Sequence, residues 1–164
     1  MVPGDGELRP RYFACFAGCM GSDGSITTFS GIRFWPMLPN PDDILIADIA
    51  HALAHQCRFG GHAREFYSVA EHCVRVSQHC APEDALWGLL HDASEAFLCD
   101  VPAPLKELPA FEAYREAERR LQRAIAVRFG LPEDQPASVT EADRVMLRIE
   151  MSDLLPAALR RRAR

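Results

Sequence analysis

Apolar positions along this chain follow two rhythms, a short alternation around residues 26–34 and helical spacing almost everywhere after residue 42. The stretch Ile26-Thr27-Thr28-Phe29-Ser30-Gly31-Ile32-Arg33-Phe34 alternates about Ser30-Gly31 and predicts a short β-hairpin. Pro36, Pro39 and Pro41 then interrupt regular structure. Asp42-Asp43 opens a first helix that carries Ile44, Leu45, Asp48, Ile49, Ala52 and Leu53 to about His55, with early acids suiting its positive end. A glycine-bearing loop, Arg58–His62, follows. Ser68-Val69-Ala70-Glu71 is a capping-box pattern and starts a second helix that ends near Cys80.

Pro82 fits the first turn of a third helix, whose Leu86, Leu89, Leu90, Ala93 and Phe97 recur at helical spacing. It should stop by Asp100, because Val101-Pro102-Ala103-Pro104 cannot continue it. A charged amphipathic helix covers about 110–129, with Gly130 and Pro132 as stop signals. Its run Glu112, Arg115, Glu116, Glu118, Arg119 and Arg120 reads as a solvated face with i,i+4 pairs. Ser138-Val139-Thr140-Glu141 reads as a second capping box, starting a fifth helix that ends around Leu155. The pattern therefore predicts an all-α fold: a bundle of five or more helices with a short N-terminal β-hairpin. Residues 1–25, rich in Gly, Pro and small residues, read as a loosely ordered tail, and 26–164 as one domain.

Composition narrows the picture. A chain of 164 residues can bury a core without disulfide staples. No apolar run approaches the ~20 residues that span a bilayer, and the N-terminus lacks the basic-then-apolar order of a signal peptide. The expectation is a soluble cytoplasmic protein with no membrane partner. The cysteines at 15, 19, 57, 73, 80 and 99 are then mostly reduced core residues. Cys15 and Cys19 lack the second pair that a zinc finger needs. The net charge of −5 argues against a nucleic-acid polymer as partner. Any polyanionic ligand must instead meet local cations, and Lys106 is the only lysine.

The doublet His91-Asp92 lies inside the apolar third helix. Side by side there, an imidazole and a carboxylate are costly unless paired, hydrogen-bonded or bound to a metal. His72, His91, Asp92 and Asp143 make a mixed N/O set suited to a borderline divalent ion such as Zn, Co, Mn, Ni or Fe. Glu95, four residues after His91 and three after Asp92, shares their helix face and is placed to act as a general base. The other histidines read more simply. His51 and His55 lack the intervening Glu of a zinc protease and read as a packed or subunit-contact pair. His62 is either a turn residue or a substrate contact. His79 complements the end of the second helix.

In order and spacing, His72 after Ser68-Val69-Ala70-Glu71, then His91-Asp92-Ala93-Ser94-Glu95, then Glu141-Ala142-Asp143, resemble the H…HD…D signature of the HD-domain metal-dependent phosphohydrolases. The continuation Cys99-Asp100-Val101-Pro102-Ala103-Pro104-Leu105-Lys106 resembles the branch holding bacterial 5′-deoxynucleotidases and phage dATP triphosphohydrolases. The runs Asp48–Leu53, Gln56–His62 and Phe66–His72 are similar to the phage type, and the resemblance covers about residues 26–156. It implies an HD-domain helical bundle in which His72, His91, Asp92 and Asp143 ligate a divalent metal ion (Zn, Co, Mn, Ni or Mg). Glu95 would orient or activate the attacking water, and Asp100 would assist.

The same resemblance implies that Arg58 and Lys106 hold phosphate, and that Phe59, standing where the deoxynucleotidase pattern has tryptophan, stacks on a base. Pro104 would form the opposite wall, with His62 a further candidate contact. The implied substrate is a deoxynucleotide, dATP first, cleaved to deoxynucleoside and triphosphate, or else a deoxynucleoside monophosphate. A non-catalytic nucleotide-binding regulatory module is the reading from a different class, against which Glu95 and Asp100 stand. A homo-oligomer, dimer or hexamer, is implied as well. Thr140 and Glu141 depart from the pattern, since related sequences often place a basic residue there. Glu141 reads as a solvent-facing cap partner.

Overall fold

The structure is a computed structural model that describes residues 23–156. Most of the tail read over 1–25 lies outside the described residues, as do Cys15 and Cys19. The hairpin is present: β1 (Ile26–Thr27) pairs antiparallel with β2 (Arg33–Phe34), and Gly31 takes a φ of 81° in the turn. Only Phe34 of the two strands is fully buried; it packs on Phe97 with ring centroids 4.4 Å apart.

The rest is helical. In chain order come α1 (Ile46–His55), α2 (Val69–His79), α3 (Ala85–Leu90), α4 (Glu95–Leu98), α5 (Ala103–Lys106), α6 (Glu112–Phe129) and α7 (Ala137–Leu154). One core joins the hairpin to α1, α2, α3, α4 and α6 through Phe34, Ile44, Ile49, Leu53, Val69, Cys73, Leu90, Ala93, Phe97, Leu121 and Ile125. A second joins α2, α3 and α7 through Val76, Trp87, Val139, Ala142 and Met146. No helix among the described residues is long and apolar enough to cross a membrane.

Several expectations need correction. Asp42-Asp43 does not open α1. These residues form a separate 3₁₀ turn capped by Asn40, whose Oδ1 accepts from the Asp42 N–H. Ile44 and Leu45 then run extended, because Ile44 drops fully into the core before the helix can start. The third helix is not continuous. It breaks after Leu90, and the chain winds through 91–94 by tight i→i−3 bonds, Ala93 N–H to Leu90 O and Glu95 N–H to Asp92 O, both 3.0 Å. Leu86 is exposed rather than buried. The segment after Asp100 is not free of helix, since Pro104 sits in the first turn of α5, where a missing N–H costs nothing.

Ser68 is the N-cap of α2, its Oγ accepting from the Glu71 N–H at 3.1 Å. The second capping box is absent: Pro136 precedes α7, and the hydroxyl of Ser138, already the second residue of the helix, donates to Asp84. Gly130 closes α6 in the left-handed conformation at φ 67°.

Candidate metal centre

His72, on α2, is fully buried, and its Nδ1 lies 2.7 Å from Glu150 Oε1 on α7. His91, in the turn after α3, has its Nδ1 2.7 Å from the carbonyl oxygen of Gly88. A carboxylate and a carbonyl can only accept, so both Nδ1 atoms carry the proton. Each neutral ring then turns a bare Nε2 lone pair inward, and the two Nε2 atoms stand 3.3 Å apart. Around them lie Asp92 Oδ2, 3.4 Å from His91 Nε2 and 3.8 Å from His72 Nε2, and Asp143 Oδ1, at 3.9 and 3.1 Å.

Four acceptors facing one another repel unless a cation lies among them. Metal–ligand bonds of about 2.0–2.2 Å set neighbouring ligand atoms roughly 3.0–3.5 Å apart. The donor set fits that spacing, and His72, His91 and Asp92 together could hold a metal ion. Glu150 and the Gly88 carbonyl orient the imidazoles from behind, as the partners of metal-bound histidines do.

Without a cation, a proton on one Nε2 is the available substitute. Burial alone would push the His72 pKa down, but hydrogen bonds to Asp143 and Glu150 outweigh it and raise it. Asp143, resisting the same burial, is held below the usual carboxylate range by His72, His91 and Arg58. Burial likewise opposes ionisation of Glu150, yet His72, Tyr67 and Arg58 keep it low.

Sequence reasoning missed Glu150 and Tyr67. Glu150 is 2% exposed and accepts three hydrogen bonds, from His72, from the Tyr67 hydroxyl at 2.7 Å and from Arg58 Nη2 at 3.2 Å. A signal was there to find: Val139, Ala142, Met146 and Glu150 recur at helical spacing on the buried face of α7. A carboxylate on that apolar stripe demands a partner. Tyr67 carried no such mark.

Arg58 begins a 3₁₀ turn in which Phe59 takes a φ of 55° and Gly60 of 59°, both left-handed. The loop is tied at its base by Arg58 N–H to Tyr67 O at 2.9 Å. Arg58 itself spans the centre, bonded to Glu150 and with Nη1 3.6 Å from Asp92 Oδ2. Phe59 is half-buried with the Arg58 guanidinium over its ring, and His62 and Pro104 are exposed.

Glu95 opens α4 with its side chain 7% exposed and Oε2 without a hydrogen-bond partner. Burial, and then the negative charges of Asp92 and Asp100, push its pKa up to about 9. Lys106 faces it, Nζ being 3.5 Å from Glu95 Oε1, 3.7 Å from Asp100 Oδ1 and 2.7 Å from Glu118 Oε1. Glu118 thus leaves the solvated face read for α6, while Glu112, Arg115, Glu116, Arg119 and Arg120 do pair among themselves there. Cys99, at φ 61° and ψ 159°, holds the sharp exit from α4 that sets Asp100 beside Lys106. Glu141 faces solvent and pairs with Arg144. His79 contacts the Arg75 carbonyl near the end of α2, and His55 contacts that of His51.

Fold and site together define a helical protein with a candidate His/Asp metal centre flanked by a proton-holding carboxyl and two cations. No family model matches the chain. The uncharacterized protein YfdR of Escherichia coli (strain K12) is 45% identical over 129 residues, spanning 79% of this chain and 71% of YfdR. An uncharacterized protein of Rhodobacter capsulatus is 38% identical over 138 residues, spanning 76% of this chain and 70% of its own. The chain belongs to the same family as YfdR.

Proposed function

We propose that the chain is a metal-dependent phosphohydrolase of the HD-domain type, acting on deoxynucleotides. The observation that carries this reading is the pair of Nε2 lone pairs facing each other at 3.3 Å, with Asp92 and Asp143 beside them. His72, His91, Asp92 and Asp143 would hold a divalent cation, which when bound polarises a phosphate oxygen and acidifies water. Glu95, its carboxyl raised to about 9, holds a proton at neutral pH and is the residue to give it to the leaving oxygen. Asp100 and Lys106 set the charge around that carboxyl, Lys106 lowering its pKa and Asp100 raising it. A module that only binds has no use for a buried carboxyl tuned in this way.

The leading substrate is a deoxynucleoside triphosphate, dATP first, hydrolysed to deoxynucleoside and triphosphate; this rests on the resemblance of the His72, His91-Asp92 and Asp143 segments. A 5′-deoxynucleotidase acting on monophosphates is the second reading, and one observation favours it. Arg58 and Lys106 are already engaged by carboxylates, Arg58 with Glu150 and Asp92 and Lys106 with Glu118, Glu95 and Asp100. That leaves less uncommitted positive charge than a triphosphate calls for. The homo-oligomeric state rests on the resemblance alone.

The test is product analysis. Protein loaded with Mn or Co is incubated with the four dNTPs and dNMPs, and triphosphate and phosphate are assayed. Triphosphate from dATP supports the first reading and phosphate from dAMP the second; no turnover of any nucleotide sinks both. Asp92→Ala should lose metal and turnover together. Glu95→Ala should retain metal while turnover falls by about 10²-fold or more.

A further inference from the structure

A cavity of about 300 Å³ lies between α1, α4 and the hairpin. Its walls are Ile26, Ala52, Ala96 and Phe97, with the hairpin residues Thr27 and Thr28 also on the lining and Phe29 at the rim. Asp48 opens onto it, 3% exposed. One oxygen, Oδ1, accepts from the Ser30 N–H at 2.6 Å; the other, Oδ2, has no hydrogen-bond partner, and no cationic side chain among the described residues pairs with Asp48. A buried carboxylate oxygen left without a donor is costly, and no side chain lining the cavity supplies one. The rim is flat and aromatic. Phe29, 66% exposed, stacks on His51 with centroids 3.7 Å apart and planes at 10°, and His51 packs in turn on His55 at 4.2 Å.

We infer that this cavity binds a small planar molecule bearing an amine or amidine, its N–H donors on Asp48 Oδ2 and its flat body between the apolar walls and the Phe29–His51 pair. The volume is at the lower end for small-molecule pockets, which suits a single ring system with one polar edge. The acceptor at the base selects against carboxylate- or phosphate-bearing ligands, because like charges would meet there without screening. Flat aromatic faces favour a delocalised cation over a tetrahedral one. His51 thereby gains a role as the stacked edge of this pocket, with His55 packed against it outside the lining. None of the metal-centre residues lines the cavity, so the assignment stands apart from the proposed phosphohydrolase activity.

Benzamidine is the probe, titrated into the 164-residue chain by calorimetry and ligand-observed NMR. Saturable one-to-one binding is expected, with benzoate at least tenfold weaker. Asp48→Asn keeps an acceptor for Ser30 and should weaken benzamidine about tenfold or more. Ala52→Phe fills the cavity from the helix side and should abolish binding with Asp48 intact. Both variants are checked for an unchanged melting transition and metal content, so that either one alone suffices if the other misfolds. Absence of saturable benzamidine binding to the native chain overturns the inference, as does equal binding by the variants or by benzoate.

Discussion

Glu150 shows how much of a candidate metal centre can rest on a residue outside its donor set. Its two oxygens take a hydrogen bond from His72, one from Tyr67 and one from Arg58, so it fixes the His72 ring, its tautomer and the loop that carries Arg58. Replacing it by glutamine keeps the shape and removes the charge. The glutamine carbonyl can still accept from His72, but the ring loses the anion that makes its Nε2 a better donor to a cation. Glu150→Gln should therefore weaken Mn affinity about 10–100-fold, read by competition with a chelator, while secondary structure is retained. Glu150→Leu is a harsher change. It strands the Arg58 guanidinium beside Asp92 with half its partners gone, and should cost roughly 3–5 kcal/mol in denaturant unfolding. A Glu150→Gln affinity equal to that of the native chain would show that His72 is oriented by packing alone.

At the scale of elements, the close approach of α2 and α3 sets His72 against His91. Gly88 makes it possible. A Cβ there would stand 2.9 Å from Cys80 Sγ and 3.0 Å from the Ser77 Cα, one of them backbone, and the Gly88 carbonyl also orients His91. Gly88→Ala should destabilise the fold by about 1–3 kcal/mol. Cys80→Ala should restore only part of that loss, since the backbone contact with Ser77 remains; full restoration would place the conflict at the sulfur alone. The helices were legible wherever apolar spacing ran uninterrupted, as in α2, α6 and α7, and so was the hairpin from its alternation. What could not be read were departures that tertiary contacts impose: Ile44 pulled extended into the core, the tight turn through residues 91–94, and the single turn of α5 that returns Lys106 over Glu95. His91 and Asp92 were legible because they stand among apolar neighbours, whereas Asp143, beside Arg144 with its side chain 40% exposed, was legible through the H…HD…D order it completes with His72. Glu118 was not, because it reads as one more member of the charged run with Glu112, Arg115, Glu116, Arg119 and Arg120, and only the fold turns it toward Lys106.

For the whole molecule, the crowding of acceptors and carboxylates around the candidate centre ties stability to pH and, under the proposed reading, to metal as well. Glu95 keeps a proton up to about pH 9 in the native chain, whereas the unfolded chain has lost it well below neutrality. The native state then binds more protons, so Glu95 makes stability fall as pH rises between those two values. His72, raised in the folded state, contributes stability that is full below its unfolded pKa and lost as pH rises through the folded one. Asp143 and Glu150 act in the opposite sense: held low when folded, their contribution is present above the ordinary carboxylate range and lost as pH falls through their folded values. The metal-free protein should accordingly be most stable at about pH 5–6 and weaken toward pH 8–9. A divalent cation bound there would replace the proton among the Nε2 atoms and offset the Asp92 charge that raises Glu95, and its ligands would have to be deprotonated to bind it. Manganese should therefore raise the melting temperature more at pH 8 than at pH 5.5, and move the stability maximum upward. Asp92→Ala should remove the manganese effect at both. Melting curves across this range, with a chelator and with manganese, decide the matter: a metal-free maximum at pH 8, or an equal manganese gain at the two pH values, would mean that protons and cation do not compete for one centre.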